Sequence, residues 1–165
     1  MRFVLIFVVA VTYAQSVWAK EDSVPLIMPQ WQLQTQEGDI VSAKDFAGKP
    51  LVLHFWATWC PYCKKLQPEL DRLAQKYSSD GLQVIGVSLL EPDGARPQTE
   101  LESRGVRFRT VVDGESLGID VFNIQGTPTT VFIAPSGKVL GKTMQSDPTD
   151  PQWEQTIRYL IQLPR

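Results

Sequence analysis

The chain of 165 residues contains only two cysteines and a single histidine. Two cysteines are too few for a scaffold held by several disulfides, and too few for a zinc site of four thiolates. Neither sign of charge dominates, because 16 basic residues stand against 18 acidic ones. Nucleic-acid binding is typical of a basic surface, so we expect no nucleic-acid partner. The length suits one domain with a substantial core.

The N-terminal hydrophobic run is short for a membrane span, which needs about 20 apolar residues. Residues 3–14 are apolar apart from Thr12 and Tyr13, and Arg2 precedes them. Val17 and Ala19 supply small residues at the two positions that a signal peptidase reads for cleavage after Ala19. This pattern is typical of a secretory signal peptide. We therefore predict export to the periplasm or another compartment outside the cytoplasm. An uncleaved membrane anchor remains the alternative for the same segment.

The predicted domain organisation follows from this division. Residues 1–19 form the signal peptide, 20–29 an N-terminal tail and 30–165 one folded domain. An exported cysteine pair meets an oxidising compartment. The two cysteines are therefore expected to form either a structural bridge or a working redox centre.

Both cysteines lie in the sequence Trp59-Cys60-Pro61-Tyr62-Cys63. An apolar run at 51–57 precedes it and predicts a buried central strand. A helix is predicted at 64–77, from apolar residues spaced by three and four. Cysteines at i and i+3 beside a helix start lie on one face, close enough to form or break a disulfide.

The remaining pattern predicts alternating strands and helices, and therefore a mixed central sheet flanked by helices in an α/β fold. A β-hairpin is expected at 31–41, further strands at 82–88, 108–112 and 129–133, helices at 97–104, 114–122 and 152–162, and a closing hairpin through 135–141. The cysteine pair then lies within a β-α-β unit, an arrangement typical of thioredoxin-like redox motifs.

Residues 52–63 resemble the active-site strand and turn of thioredoxin-fold proteins, and most closely those of the exported TlpA/ResA/CcmG group. Four further features fit: Pro68 within the helix, the loop at 126–130, the turn at 135–138, and the additions at 31–41 and 89–105. The resemblance covers roughly residues 30–160. It implies a thioredoxin-like fold with an N-terminal β-hairpin and an extra segment around 89–105.

The resemblance assigns roles to the cysteine motif. Cys60, at a helix N-terminus, is the expected nucleophile, because the N–H groups and dipole there stabilise a thiolate. Cys63 is expected to be more buried and to resolve the mixed disulfide. Pro61 and Tyr62 shape the turn and bias its redox potential, and Trp59 is expected to border the site. A permanent structural bridge is the alternative for the pair.

Other expected site residues lie away from the motif. The resemblance implies a cis bond between Thr127 and Pro128, beside Cys60. His54 stands where relatives have an acid or Asn; it is expected to accept a proton from Cys63 or to favour thiolates when protonated, or else to be a neutral core histidine. Leu66 replaces the Glu that reducing members carry, which weakens a specific role in cytochrome c maturation.

These residues predict an exported thiol-disulfide oxidoreductase without a cofactor. It would exchange disulfides with cysteine pairs of other exported proteins, as a reductant, with a membrane electron donor as a further partner. The alternatives are an oxidase or isomerase, a carrier of a soft metal such as copper using Cys60, Cys63 and His54, and an interaction domain without chemistry. A peroxidase is disfavoured, because Ala57 stands where peroxiredoxins need threonine.

Overall fold

The computed structural model describes residues 27–165. The predicted signal peptide and most of the predicted tail therefore lie outside the described residues. The strands are β1 (Gln32–Thr35), β2 (Ile40–Ser42), β3 (Leu51–Trp56), β4 (Gln83–Ser88), β5 (Thr110–Val112), β6 (Thr129–Ile133) and β7 (Val139–Thr143). The α-helices are α1 (Pro61–Lys76), α2 (Pro97–Ser103) and α3 (Gln152–Ile161); two 3-10 turns lie at Ala43–Phe46 and Ser78–Asp80, and a π-helical segment at Ser116–Val121.

One mixed sheet contains all seven of these strands, in the order β2-β1-β5-β4-β3-β6-β7. Strand β4 is parallel to β3 and β5, whereas β6 is antiparallel to β3. The predicted N-terminal hairpin is confirmed: β1 and β2 are antiparallel, and β1 joins the sheet through β5. The α/β fold with a mixed central sheet is therefore confirmed.

Strand β3 lies within the sheet, and all six of its residues are buried. Successive side chains of a strand point to opposite faces, so both of its faces need apolar residues. Leu53 and Phe55 enter one core cluster, whereas Val52 and Trp56 enter a second cluster that also holds both cysteines. This second cluster includes apolar residues of α1, α2 and α3, so the cysteines lie on the helix-covered face.

Helix α1 begins at Pro61, three residues before the predicted start at 64. Proline is favoured in the first helical position, where its fixed φ suits the helix and its missing N–H is not needed. Cys60 provides the N-cap, and its sulfur accepts a hydrogen bond from the Cys63 N–H. Pro68 lies inside the helix, as expected from the sequence. The helix is anchored to the core by the buried residues Leu66, Leu70 and Leu73.

The extra segment around 89–105 contains α2, and the predicted helix at 114–122 is a π-helical segment instead. Close packing explains the need for glycine there. A Cβ on Gly118 would lie 3.1 Å from a Leu89 methyl and 3.2 Å from the Phe55 ring, and one on Gly114 would lie 2.3 Å from a Val87 methyl. These glycines bring residues 114–118 directly against the ends of β3 and β4.

The closing hairpin joins β6 and β7 through the predicted turn, in which Gly137 has φ 83°. Ile27 pairs with Lys138 across this turn, and the Met28 N–H donates to the Gly137 carbonyl at 2.8 Å. The described end of the predicted tail is thus paired with the final hairpin. Within residues 27–165, the helices are all too short or too polar to cross a membrane.

Candidate active site

The two cysteines form a disulfide at the N-terminus of α1. Their Cα atoms lie 5.3 Å apart, within the range that a disulfide spans. The Cys63 N–H lies 3.1 Å from the Cys60 sulfur and donates to it. Cys60 is 2% exposed and Cys63 is completely buried. Cys60 is therefore the more accessible of the two, and its sulfur occupies the end of the helix where a negative charge is stabilised.

Two side chains of the cysteine motif and one from the loop after β4 are apolar and exposed, and we call Trp59, Tyr62 and Leu90 the apolar rim. They are 56%, 62% and 59% exposed. The Trp59 indole N–H donates to the Leu90 carbonyl at 3.0 Å, which joins the two sides of the rim. Trp56, by contrast, is fully buried and donates to Thr110 Oγ1. Trp59 is thus the tryptophan that borders the site.

The loop before β6 lies at the same end of the sheet. The peptide bond between Thr127 and Pro128 is cis. The next residue, Thr129, is paired with Phe55 on β3 and donates through its hydroxyl to the Gly126 carbonyl at 2.6 Å. Because β3 leads directly into the cysteine turn, this pairing brings the Thr127–Pro128 loop to the edge from which that turn emerges.

The arrangement described so far is a helix-capping disulfide that follows the buried strand β3. A cis-proline loop lies immediately before the neighbouring strand β6. Residues 25–141 match the family model of the AhpC/TSA family. This match spans more than half of the chain. The chain belongs to the AhpC/TSA family.

Relatives within this family narrow the assignment. The chain is 31% identical to the thiol-disulfide oxidoreductase ResA of Bacillus subtilis over 139 residues, which cover 83% of this chain and 77% of that protein. It is 28% identical to ResA of Bacillus cereus over 91% of this chain and 87% of the relative. The chain is therefore a thioredoxin-like member of the AhpC/TSA family, and the ResA-type thiol-disulfide oxidoreductases are among its relatives.

A solved structure agrees with this placement. A crystal structure from Chlorobium tepidum, described as a thiol:disulfide interchange protein DsbE, superposes with a TM-score of 0.74 at 27% identity. The match covers 84% of this chain and 99% of that one. The thioredoxin-like fold expected from the sequence is confirmed.

His54 lies on the helix-covered side of β3 in this family member, between Val52 and Trp56. It is fully buried, and its Nδ1 lies within hydrogen-bond distance of Thr130 Oγ1, at 3.2 Å. Among the described residues its Nε2 has no hydrogen-bond partner. Burial lowers the pKa of His54 to about 3, because an imidazolium would lose its hydration there. The ring is therefore neutral near pH 7.

Leu66 occupies the position at which the resemblance leads us to expect a Glu in reducing relatives. Its side chain is completely buried in the cluster that contains both cysteines. The adjacent Gln67 is also buried, and its Oε1 accepts from Arg104 at 2.6 Å. Glu69 is engaged instead by Arg72 on the outer side of the helix. In the described part of the chain, the position that Leu66 fills beside the cysteines therefore carries no carboxylate.

The charges of the first turn of α1 are basic. Lys64 is paired with Glu100 of α2 at 2.8 Å, and Lys65 is exposed to solvent. Within residues 27–165, no group of three or more His, Cys, Asp or Glu side chains is placed to hold a metal ion.

Glu91 is a site residue that the sequence analysis missed. It lies in the loop after β4, and its carboxylate accepts hydrogen bonds from the Thr58 N–H at 2.9 Å, the Thr58 hydroxyl at 2.5 Å and the Ser88 hydroxyl at 2.6 Å. Thr58 is only two residues from Cys60. The sequence offered one signal, an acidic residue in a polar loop, but no indication that this loop folds back against the cysteine turn.

Proposed function

We propose that the protein is an exported disulfide reductase that acts on cysteine pairs of other exported proteins through Cys60 and Cys63. The observation that supports this most is the disulfide at the N-terminus of α1, with one sulfur at the capping position and the other fully buried. This arrangement supports Cys60 as the attacking thiol and Cys63 as the resolving one, whereas a purely structural bridge over three residues would stabilise little.

The reaction begins with the reduced dithiol. The Cys60 thiolate attacks one sulfur of a substrate disulfide, so a mixed disulfide forms and the other substrate sulfur leaves as a thiolate. Cys63 then loses its proton and attacks the Cys60 sulfur, which releases the second substrate thiolate. The substrate gains two electrons, and the protein is left with the Cys60–Cys63 disulfide. A dithiol donor at the membrane returns the two electrons to the protein.

Three features near the cysteines support the reducing direction, against the exposed positive charge of Lys65 in the first turn of α1. A neutral His54 gives no positive charge to a thiolate, and the charge of Lys64 is balanced by Glu100. The carboxylate of Glu91 bonds to the turn that contains Cys60. A less stable thiolate pair makes the dithiol a stronger reductant, since the strong oxidant of this fold owes its potential to a stabilised reduced form.

The apolar rim supports a protein substrate. Exposed aromatic and aliphatic side chains beside a reactive group favour contact with another polypeptide. Trp59, Tyr62 and Leu90 leave much of their apolar surface exposed, and Trp59 and Tyr62 belong to the cysteine motif itself. The Thr127–Pro128 loop completes the proposed contact region.

Export is the second part of the proposal, and it is based on the signal-like segment at 1–19. The alternative remains an uncleaved anchor that holds the domain at the membrane. Both locations expose the domain to other exported proteins. They differ in whether the protein isolated from cells begins near Lys20 or retains its first residues.

Replacement of Cys63 by serine tests the assignment of nucleophile and location together. Expressed as the full chain in a bacterial host, Cys63→Ser is expected to accumulate mixed disulfides through Cys60, because the resolving thiol is missing. These adducts disappear on reduction and lie in the exported fraction. The mass of the isolated protein shows whether residues 1–19 have been removed.

The matched control is Cys60→Ser, which keeps one cysteine but loses the attacking thiol and should form far fewer adducts. Equal trapping by the two variants would contradict the assignment of Cys60. A chain found only in the cytosol with its N-terminus intact would contradict export but leave the chemistry standing.

A further inference from the structure

We propose that Glu91 is a positioning residue that fixes the turn containing Cys60, and that it does so together with Glu115. The inference rests on the proposed function, in which Cys60 attacks the substrate. Glu91 belongs to the loop that follows β4, whereas the turn follows β3, so the carboxylate connects the ends of two adjacent parallel strands.

Three hydrogen bonds converge on the Glu91 carboxylate. Oε1 accepts from the Thr58 N–H and from the Ser88 hydroxyl, and Oε2 accepts from the Thr58 hydroxyl. Thr58 thus donates through both backbone and side chain. The Cys60 N–H donates in turn to the Ala57 carbonyl at 3.1 Å, which closes the turn on either side of Thr58. A carboxylate that accepts several such bonds holds its donors strongly, because hydrogen bonds to a charged group exceed neutral ones.

A second carboxylate holds the other side of the loop. Glu115 accepts from the Leu90 N–H at 2.6 Å, while the Leu90 carbonyl accepts from the Trp59 indole. Leu90 has φ 51°, a left-handed conformation that is rare for a side chain of this size and persists only where neighbouring contacts hold it. Glu91 and Glu115 together impose this conformation and so determine where Trp59 lies.

The two carboxylates therefore define one unit, which we call the acidic clasp: Glu91, Glu115 and their donors Thr58, Ser88 and Leu90. The clasp has two effects on Cys60. It limits the movement of the turn, so that the sulfur is held in position for attack. It also places a negative charge near the turn, which disfavours the thiolate and keeps the dithiol reducing.

Variants of Glu91 and Thr58 separate these effects. The reduced protein is mixed with an aromatic reporter disulfide, 5,5′-dithiobis(2-nitrobenzoate), and the release of two aromatic thiolates per protein is followed. Glu91→Ala removes both acceptor oxygens and with them all three hydrogen bonds. We expect attack by Cys60 to slow about tenfold, the size expected for losing a hydrogen bond to a charged group. Glu91→Gln retains an acceptor oxygen but no charge. It should slow attack less, and its reduction potential should shift to a less negative value.

A double-mutant cycle shows whether Thr58 and Glu91 act as a pair. Thr58→Val should slow attack a few-fold, and Thr58→Val/Glu91→Gln should be no slower than the more affected single variant, because both changes break the same contact. The control is Glu102→Gln on α2. The Glu102 carboxylate accepts a hydrogen bond from the exposed Gln98 side chain, on the same helix. This control should match the wild type in rate and potential.

Unfolding in denaturant is measured for every variant. If Glu91→Ala does not fold, Thr58→Val and Glu91→Gln decide the outcome. The inference is overturned if these variants are less stable yet keep the wild-type rate and potential, or if the effects of the pair simply add. A wild-type protein that fails to reduce the reporter would contradict the proposed function itself, which is a different outcome from equal activity in all variants.

Discussion

At the scale of single residues, the site combines a buried neutral histidine with a disulfide at the end of a helix. His54 lies on the same side of β3 as the core cluster that holds Cys60 and Cys63. Its pKa of about 3 means that the ring carries no charge under physiological conditions. The imidazolium considered in the sequence analysis is therefore not formed near pH 7. A neutral core histidine and a proton acceptor for Cys63 are the two roles that remain, and a pKa of about 3 makes the ring a weak base.

The buried His54 makes the fold less stable in mild acid. Its folded pKa lies below the unfolded value of about 6.5, so the unfolded chain takes up a proton first as the pH falls. The stability is fully present above pH 6.5 and is lost as the pH drops towards 3. Between pH 7 and 5.5 we expect the free energy of unfolding to fall by about 1 kcal/mol from this group alone.

Denaturant unfolding of wild type and His54→Asn at pH 7 and 5.5 measures this effect. The variant should lose less stability over the same interval, because it has no imidazole to protonate. Equal losses in both proteins would contradict a buried, neutral His54. If His54 also accepts the Cys63 proton, His54→Asn should slow the release of the second thiolate in the reporter assay, and an unchanged rate would exclude that role.

At the scale of elements, the C-terminal helix is attached to the active-site helix through polar as well as apolar contacts. Trp153 and Ile157 of α3 are buried in the cluster that also contains α1. On the outer edge, Glu154 accepts from Lys76 and Arg72 of α1 at 2.5 and 2.9 Å. These bonds, and a further one from Tyr77, lower the pKa of Glu154 to about 2.

Glu154→Gln should lower the unfolding midpoint slightly, because its partners are exposed and solvent screens the ion pairs. Since the folded pKa lies below the unfolded value of about 4.3, the contribution is present above pH 4.3 and disappears as the pH falls towards 2. The difference between variant and wild type should also shrink in high salt. Thermal unfolding at low and high salt measures this, with Glu102→Gln as the control. A difference that salt leaves unchanged would contradict an ionic origin.

Periodic apolar patterns predicted the central elements well. The run at 51–57 contains β3, and the leucines at positions 66, 70 and 73 are buried as a helical stripe. These features can be predicted from local sequence. A strand buried on both faces gives a continuous apolar run, and a helix buried on one face gives apolar residues spaced by three and four. The predicted start of α1 at residue 64 is three residues too late. Pro61 suits a turn, but proline is also favourable in the first position of a helix.

Contacts between segments that are far apart in the chain could not be predicted from the sequence. Glu91 and Thr58 are 33 positions apart, and nothing in either segment identifies the other as its partner. The pairing of β1 with β5 could not be predicted for the same reason, because the hairpin pattern defines its own turn but not its neighbour in the sheet. The π-helical form of Ser116–Val121 depends on how closely Gly114 and Gly118 approach β3 and β4.

At the scale of the whole molecule, the sheet and helices bring every proposed site residue to one end of the domain. The cysteine turn, the acidic clasp, the apolar rim and the Thr127–Pro128 loop all adjoin the neighbouring strands β5, β4, β3 and β6. A groove of about 660 Å³ lies elsewhere, lined by residues that include Asp71, Arg107 and Arg109, and it contains neither cysteine. The exposed apolar rim, rather than this groove, is the surface that we propose contacts a protein substrate.

The reduction potential of the Cys60–Cys63 pair tests the central claim most directly. The purified protein, lacking residues 1–19, is equilibrated in glutathione buffers of defined ratio, and the fractions of dithiol and disulfide are counted after alkylation. A reductant with a neutral His54 and a carboxylate at the turn should have a potential near about −270 mV, the value of a reducing thioredoxin. A potential near about −120 mV, typical of a strong disulfide oxidant, would contradict the account.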